Sequence, residues 1–151
     1  FDLCKEGNQK VIIWAVATEN YQQIREVCDS LKLKYKEGHG GIKDVANEVK
    51  EFDDGDYDVL IGHPQSIGIG VNIKSAGYSI DFSYSYSLEQ KLQKNARNFR
   101  GGSVDIHKKI TRIRFVVKDS IYVDLCKALD DKLTTSNKIL ALVKSSWGIK
   151  K

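Results

Sequence analysis

Methionine is absent from this chain, proline occurs once, and no apolar run approaches the roughly 18 residues that a membrane span needs. The last absence removes a transmembrane reading. The chain does not open on a basic stretch followed by an apolar one, which argues against a secretory signal. The missing methionine and the start at Phe1 lead us to expect a piece of a longer protein, with its chemistry shared with a portion outside this sequence. Cys4, Cys28 and Cys126 are odd in number and far apart, and no Cys-x-x-Cys pair exists. Free thiols in a cytoplasmic protein are therefore expected, not a zinc knuckle or a disulfide framework. His39, His63 and His107 show no metal-ligand spacing, so no metal site is expected.

The missing catalytic motifs narrow the chemistry further. The sequence contains no Gly-Lys dipeptide and hence no phosphate loop, which needs Gly-Lys followed by Ser or Thr. Gly68-Ile-Gly70 lacks the third glycine of a dinucleotide fingerprint, because Ile73 stands where Gly or Ala belongs. The Gly-x-Ser-x-Gly nucleophile elbow is missing too. If this chain handles phosphates, their main cradle lies elsewhere.

What is present is a globular composition. The 151 residues are 41% hydrophobic and 29% charged, and a single domain of that size buries about 70% of its unfolded surface. The net charge of +4 is unevenly spread. Asp44, Glu48, Glu51, Asp53, Asp54, Asp56 and Asp58 face only Lys50 in their stretch. Between Lys91 and Lys118, nine lysines and arginines face only Asp105. So one-sided a basic run points to a polyanion partner, a nucleic acid or nucleotide phosphates.

Along the chain, strand and helix patterns alternate. Lys10 to Ala17 is a near-continuous apolar run, the mark of a strand buried on both faces. Thr18 then offers an N-cap for a helix to Leu31, with Ile24, Val27, Cys28 and Leu31 at helical spacing. Further strands are expected at Leu33–Lys36, Tyr57–Ile61, Tyr78–Phe82 and Ile110–Val117. Helices are expected at Ile42–Phe52, from Ser87 to about Phe99, at Ser120–Leu133 with Ile121, Leu125 and Leu129 inward, and at Ser136–Trp147. Residues 1–9 read as a lead-in and 10–151 as one domain. Such alternation predicts an α/β fold, a parallel sheet with helices on both faces, whose ligands lie outside the carboxyl ends of the strands. Thr18, Gly38–Gly41, Gly62–Ile73 and Phe82–Ser87 leave those ends.

Two features carry chemistry. Gln93, Arg97 and Arg100 follow one another at helical spacing, with Lys94 three before Arg97, and the planar guanidinium fork suits phosphate oxygens. In Ser66-Ile-Gly68-Ile-Gly70-Val-Asn72, two glycines permit close backbone approach to a ligand, and the Asn72 amide can both donate and accept. In this order, the segment from Lys10 to about Leu133 resembles the C-terminal RecA-like lobe of a superfamily II helicase, most closely the Swi/Snf-type DNA translocase branch. Lys10–Thr18 resembles motif IV, and Gly38-His39-Gly40 the short turn that contacts the nucleic-acid backbone. Gly68–Ile73 is similar to the Gly-x-Gly-x-Asn-Leu core of motif V, and Gln93–Arg100 to Gln-x-x-x-Arg-x-x-Arg of motif VI. Departures from the pattern are His63-Pro64 for Ser/Thr, Ala96 and Phe99 beside the arginines, and Gly101-Gly102 for Gly-Gln.

The resemblance implies a three-layer RecA-like fold of the P-loop NTPase type without its own phosphate loop. It implies ATP and Mg2+ held mainly by an N-terminal lobe outside this sequence, with Arg97 and Arg100 as arginine fingers and Gln93 orienting them. Gly68, Gly70 and Asn72 would belong to the nucleotide side. Thr18, Gly38, His39, Gly40 and Ser66 would contact the backbone of DNA, double-stranded rather than single-stranded. Three alternatives stand beside this reading: an RNA helicase lobe, a non-catalytic α/β nucleic-acid-binding module, and a small domain binding a nucleotide or metabolite through Gly68–Asn72.

Overall fold

The computed structural model describes residues 2–5, 7–67, 71–85, 87–98, 106–107 and 109–146, and for residues 96–98, 122 and 137–146 the backbone alone. The elements are α1 (Asp2–Lys5), β1 (Lys10–Trp14), α2 (Thr18–Ser30), β2 (Tyr35–Gly38), α3 (Val45–Asp54), β3 (Val59–Gly62), β4 (Ala76–Asp81), α4 (Leu88–Asn98), β5 (Thr111–Arg114) and α5 (Ile121–Ser146). All five strands pair in parallel, in the order β2-β3-β1-β4-β5.

The apolar run at β1 is explained by its place in the middle of the sheet. Side chains alternate across a strand, so Val11 and Ile13 serve one layer while Ile12 and Trp14 serve the other. On the first face they meet Val59, Ile61 and Ile80 from the neighbouring strands and Tyr21, Ile24 and Cys28 from α2. On the second they meet Leu60 from β3, Val49 and Phe52 from α3, and Ile67 and Ile73 from the β3–β4 connection. The result is a sheet with a helix on each face. Trp14 is fully buried, and its ring nitrogen donates to Ser79 Oγ at 3.0 Å, tying β1 to β4 across the core.

The acidic run, read from sequence as a bare charge imbalance, is taken up by structure. Asp44 caps α3 by accepting from Asn47 N at 3.0 Å, supplying one orphan donor of the first turn. Glu48 and Glu51 both pair with Lys36 of β2. Asp53 accepts from the backbone of Lys74 and Ser75 and from the Ser75 hydroxyl at 2.7 Å. Asp58 accepts from Lys34 N at 2.8 Å. Lys10 caps the other end of α3, its ammonium donating to the carbonyls of Phe52, Asp53 and Gly55.

Several boundaries depart from expectation. The N-cap of α2 is Ala17, in an extended conformation and without a side-chain bond, so Thr18 is the first helical residue and not the cap. In α2, Ile24 and Cys28 are buried as expected and Tyr21 joins them at 6% exposure, but Val27, expected with them, is 55% exposed. The lead-in holds the short helix α1, whose Cys4 is buried in the core. The two helices expected near the C-terminus are one: Thr134, where a break was expected, returns its hydroxyl to Asp130 O at 3.0 Å and the helix continues. In α5, Leu125 and Leu129 are buried as expected, but Ile121 is 64% exposed.

The chain divides into two compact units. One comprises residues 1–85 and 89–115 and contains the whole sheet; the other comprises residues 86–88 and 116–151 and contains α5. All three cysteines are free. Burial raises the Cys28 thiol to about 11, with Cys4 and Asp29 adding to the effect, so it stays protonated at neutral pH.

Candidate functional site

Strands that are all parallel present their carboxyl ends along one rim, and most of the described candidate residues lie there. Trp14, Gly38, Gly62 and Asp81 end β1, β2, β3 and β4. The segments that leave are stitched together: Ala15 N donates to Gly62 O at 3.0 Å, His63 N to Gly38 O at 2.9 Å, Phe82 N to Trp14 O at 3.0 Å, and Val16 N to Ser83 Oγ at 2.8 Å. At two of these ends glycine leaves the room that Ile67 fills. A Cβ at Gly62 would sit 2.9 Å from Ile67 Cδ1, and one at Gly38 would sit 3.0 Å from Ile67 Cγ1. Ile67 thus seals the core directly beneath the rim.

Gly38, His39, Gly40 and Ser66, which the sequence separates by 26 residues, are neighbours on this rim. A Cβ on Gly40 would lie 4.0 Å from Ser66 Oγ. The His39 ring is stacked on Tyr21 of α2, centroids 4.4 Å apart and planes inclined by 7°. Thr18 stands one turn ahead of Tyr21 on the same helix. His39 Nε2 is 2.6 Å from Glu37 Oε2, and the other oxygen of Glu37 is 3.3 Å from Arg25 Nε. The sequence reading missed Tyr21, Arg25 and Glu37. The signal that could have found them was the i, i+4 spacing of Tyr21 and Arg25 on a helix leaving the rim.

His63, beside this cluster, has its pKa lowered, first by burial and then by His39. Its Nδ1 accepts from Gln65 N at 3.2 Å, which requires the neutral ring on that side. The folded chain therefore holds the proton less readily than the unfolded one, so this contribution to stability is present above the unfolded value of about 6.5 and is lost as the pH falls below it. Urea unfolding midpoints near pH 7.5 and pH 5.5 test this. His63→Asn, which keeps an acceptor for Gln65 N, is expected to lose less stability on acidification than the wild type; parallel losses would count against it.

On the far side of the sheet's centre, α4 is fixed to the rim by a buried ion pair. Lys94 Nζ is 2.6 Å from Asp81 Oδ1 at the end of β4, and the two residues are 8% and 3% exposed. Burial lowers the Lys94 pKa, and Asp81 opposes that shift. This corrects the reading of the Lys94–Arg97 face as densely basic: Lys94 is occupied inside the protein. Gln93 is directed to its own helix, donating to Glu89 Oε1 at 3.1 Å. Arg97 lies one turn beyond Lys94 on α4; its side chain, like Arg100, Gly68 and Gly70, lies outside the described residues.

Asn72 is placed apart from the Gly38–Ser66 cluster, in a groove of about 510 Å³ along α3 that Val49, Lys50, Asp53, Lys74 and Ser75 also line. Its Oδ1 is buried with no hydrogen-bond partner among the described residues. Among the described residues, no group of three or more His, Cys, Asp or Glu is arranged to hold a metal ion, and no helix is long and apolar enough to cross a membrane.

No family model matches the sequence. Over 116 residues, 76% of this chain, it is 25% identical to a protein of Acanthamoeba polyphaga mimivirus named "Putative helicase R592". The structure is similar to the C-terminal part of the Fun30 ATPase domain with a TM-score of 0.73, over 83% of this chain at 22% identity. The chain spans 13% of the length of the mimivirus protein and 41% of the Fun30 chain. Five parallel strands with helices on both faces, joined in this order, form an α/β fold like that of the C-terminal part of that ATPase domain.

Proposed function

We propose that this chain is the C-terminal lobe of an ATP-dependent DNA helicase or translocase of the Swi/Snf type. The observation that carries the reading is the likeness of its sheet to the C-terminal part of an ATPase domain, joined to a basic helix fixed at the carboxyl rim by Lys94 and Asp81. ATP and Mg2+ bind mainly to the N-terminal lobe, which supplies the phosphate loop this sequence lacks. Arg97 and Arg100 reach the γ-phosphate from this side and offset the charge that spreads over its oxygens in the transition state. Gln93 leaves Glu89 to orient them, and Gly68, Gly70 and Asn72 lie on the nucleotide side. Thr18, Gly38, His39, Gly40 and Ser66 line the DNA backbone track, so binding is largely independent of base sequence and falls with salt. Closing and opening of the two lobes then steps the protein along DNA.

The 151-residue chain by itself is expected to turn over no ATP, because half of the phosphate machinery is not in it. A coupled phosphate-release assay on the purified chain checks this. Steady turnover that survives removal of contaminating ATPases would show that the chain carries its own complete site, and would remove the two-lobe reading.

A further inference from the structure

We infer that His39 is a positioning residue of the DNA-contact turn, held by Glu37 and Tyr21, and that the phosphate itself is met by Gly40 N–H and the Ser66 hydroxyl. This rests on the proposed reading of the rim as a DNA-backbone track and assigns the roles within it. Both nitrogens of the His39 ring are committed. Gly41 N–H donates to Nδ1 at 3.2 Å. The ring proton of the neutral form therefore sits on Nε2 and is donated to Glu37 Oε2 at 2.6 Å. One face of the ring is covered by Tyr21, whose own hydroxyl donates to Ala15 O at 3.3 Å on the outgoing end of β1. A ring so bound has no free nitrogen donor to offer a phosphate.

What the ring supplies is shape. It ties down Gly41, while Ile42 N donates to His39 O at 3.0 Å, so the turn is closed on both sides of Gly40. Neither Gly40 N–H nor Ser66 Oγ makes a hydrogen bond among the described residues, and the two residues are neighbours beyond the ends of β2 and β3, a Cβ on Gly40 lying 4.0 Å from Ser66 Oγ. Two adjacent uncommitted donors on a fixed turn fit a phosphodiester oxygen. Glu37 is the unexpected member, since a carboxylate beside a phosphate track repels it. Its second oxygen lies against Arg25 Nε, which offsets that charge.

The sign of the Glu37 effect makes the inference testable. The probe is a labelled duplex of about 30 base pairs, read by fluorescence anisotropy near pH 7.5 over a salt series, with the protein carrying both lobes. His39→Phe keeps a ring against Tyr21 and removes both nitrogen bonds; Glu37→Ala releases the ring. Both are expected to weaken binding about five- to tenfold, the effect of one or two lost hydrogen bonds. Glu37→Gln still accepts from Nε2–H and stays within about twofold of the wild type. The slope of log K against log salt is unchanged in all three, because no cation leaves the phosphates. Charge alone predicts the opposite for Glu37→Ala, namely tighter binding. Binding by Glu37→Ala that equals or exceeds the wild type, or a shallower slope for His39→Phe, overturns the positioning role while leaving the DNA track intact. Should Glu37→Ala lose its thermal transition, His39→Phe against Glu37→Gln decides alone. A wild-type protein with no salt-dependent duplex binding overturns the DNA track and this inference together.

Discussion

Replacing Arg97 or Arg100 by alanine in the protein that carries both lobes is expected to lower kcat for ATP hydrolysis by about a thousand-fold or more, the contribution of an arginine finger in phosphoryl transfer. Duplex binding in the same variants is expected to stay within a few-fold, because the proposed backbone track is at the residues following β2 and β3 and not on α4. The physical reason for so large an effect is preorganisation. A guanidinium adds most when it is already aimed at the place where charge develops, in a site that excludes water. The α4 helix is fixed at Lys94, whose ammonium is buried against Asp81 one turn before Arg97, and under the proposed reading this anchors the helix that carries the finger. Arg97→Lys keeps the charge and loses the planar fork, so it is expected to recover only a small part of the rate. Turnover near the wild-type value in Arg97→Ala and Arg100→Ala would refute the finger assignment.

The second large effect concerns the pin itself. Breaking a buried ion pair by removing one partner costs about 3–5 kcal/mol, because the remaining charge stays buried and unpaired. Lys94→Met and Asp81→Asn are each expected to destabilise the fold by about that amount, read as a fall in the urea midpoint with little change in slope. The double replacement Lys94→Met with Asp81→Leu removes both charges and is expected to recover most of the loss, since an apolar pair of similar volume is often neutral or better. A double variant as unstable as the sum of the singles would show that the two residues act independently. Asp81→Asn in the two-lobe protein is also expected to depress ATP turnover more than duplex binding, because it loosens α4 and leaves the turn at Gly40 in place.

The central strand and the alternation of elements could be read from the sequence because the core dictates them. A strand buried on both faces has to be apolar at consecutive positions, as Val11 to Trp14 is, and helices packed on one side have to repeat near 3.6 residues, as Val49 and Phe52 do. Boundaries were less legible where backbone geometry rather than composition decides them. Nothing in Ala17-Thr18 says that the extended residue is the alanine, and Thr134-Thr135 reads as a break because the bond from Thr134 back to Asp130 is a three-dimensional event. The site was half legible. The glycines at 38 and 40 and Ser66 stand out as rim residues once the strands are placed. The commitment of His39 to Glu37 and Tyr21 depends on where α2 crosses the sheet, and the burial of Lys94 depends on an acid 13 residues earlier. In a linear count Lys94 is simply one more cation of a basic run. Folded, it is part of the structure.

The account stands most directly on where the guanidinium groups of α4 and the segment after it point when ATP is in place. A structure of the two-lobe protein trapped with Mg2+ and a γ-phosphate transition-state analogue measures that. The account predicts Arg97 or Arg100 within about 3 Å of the analogue's equatorial oxygens, at hydrogen-bond distance, with Lys94 still against Asp81. Both guanidinium groups turned away from the analogue, with the interlobe cleft closed, would contradict it.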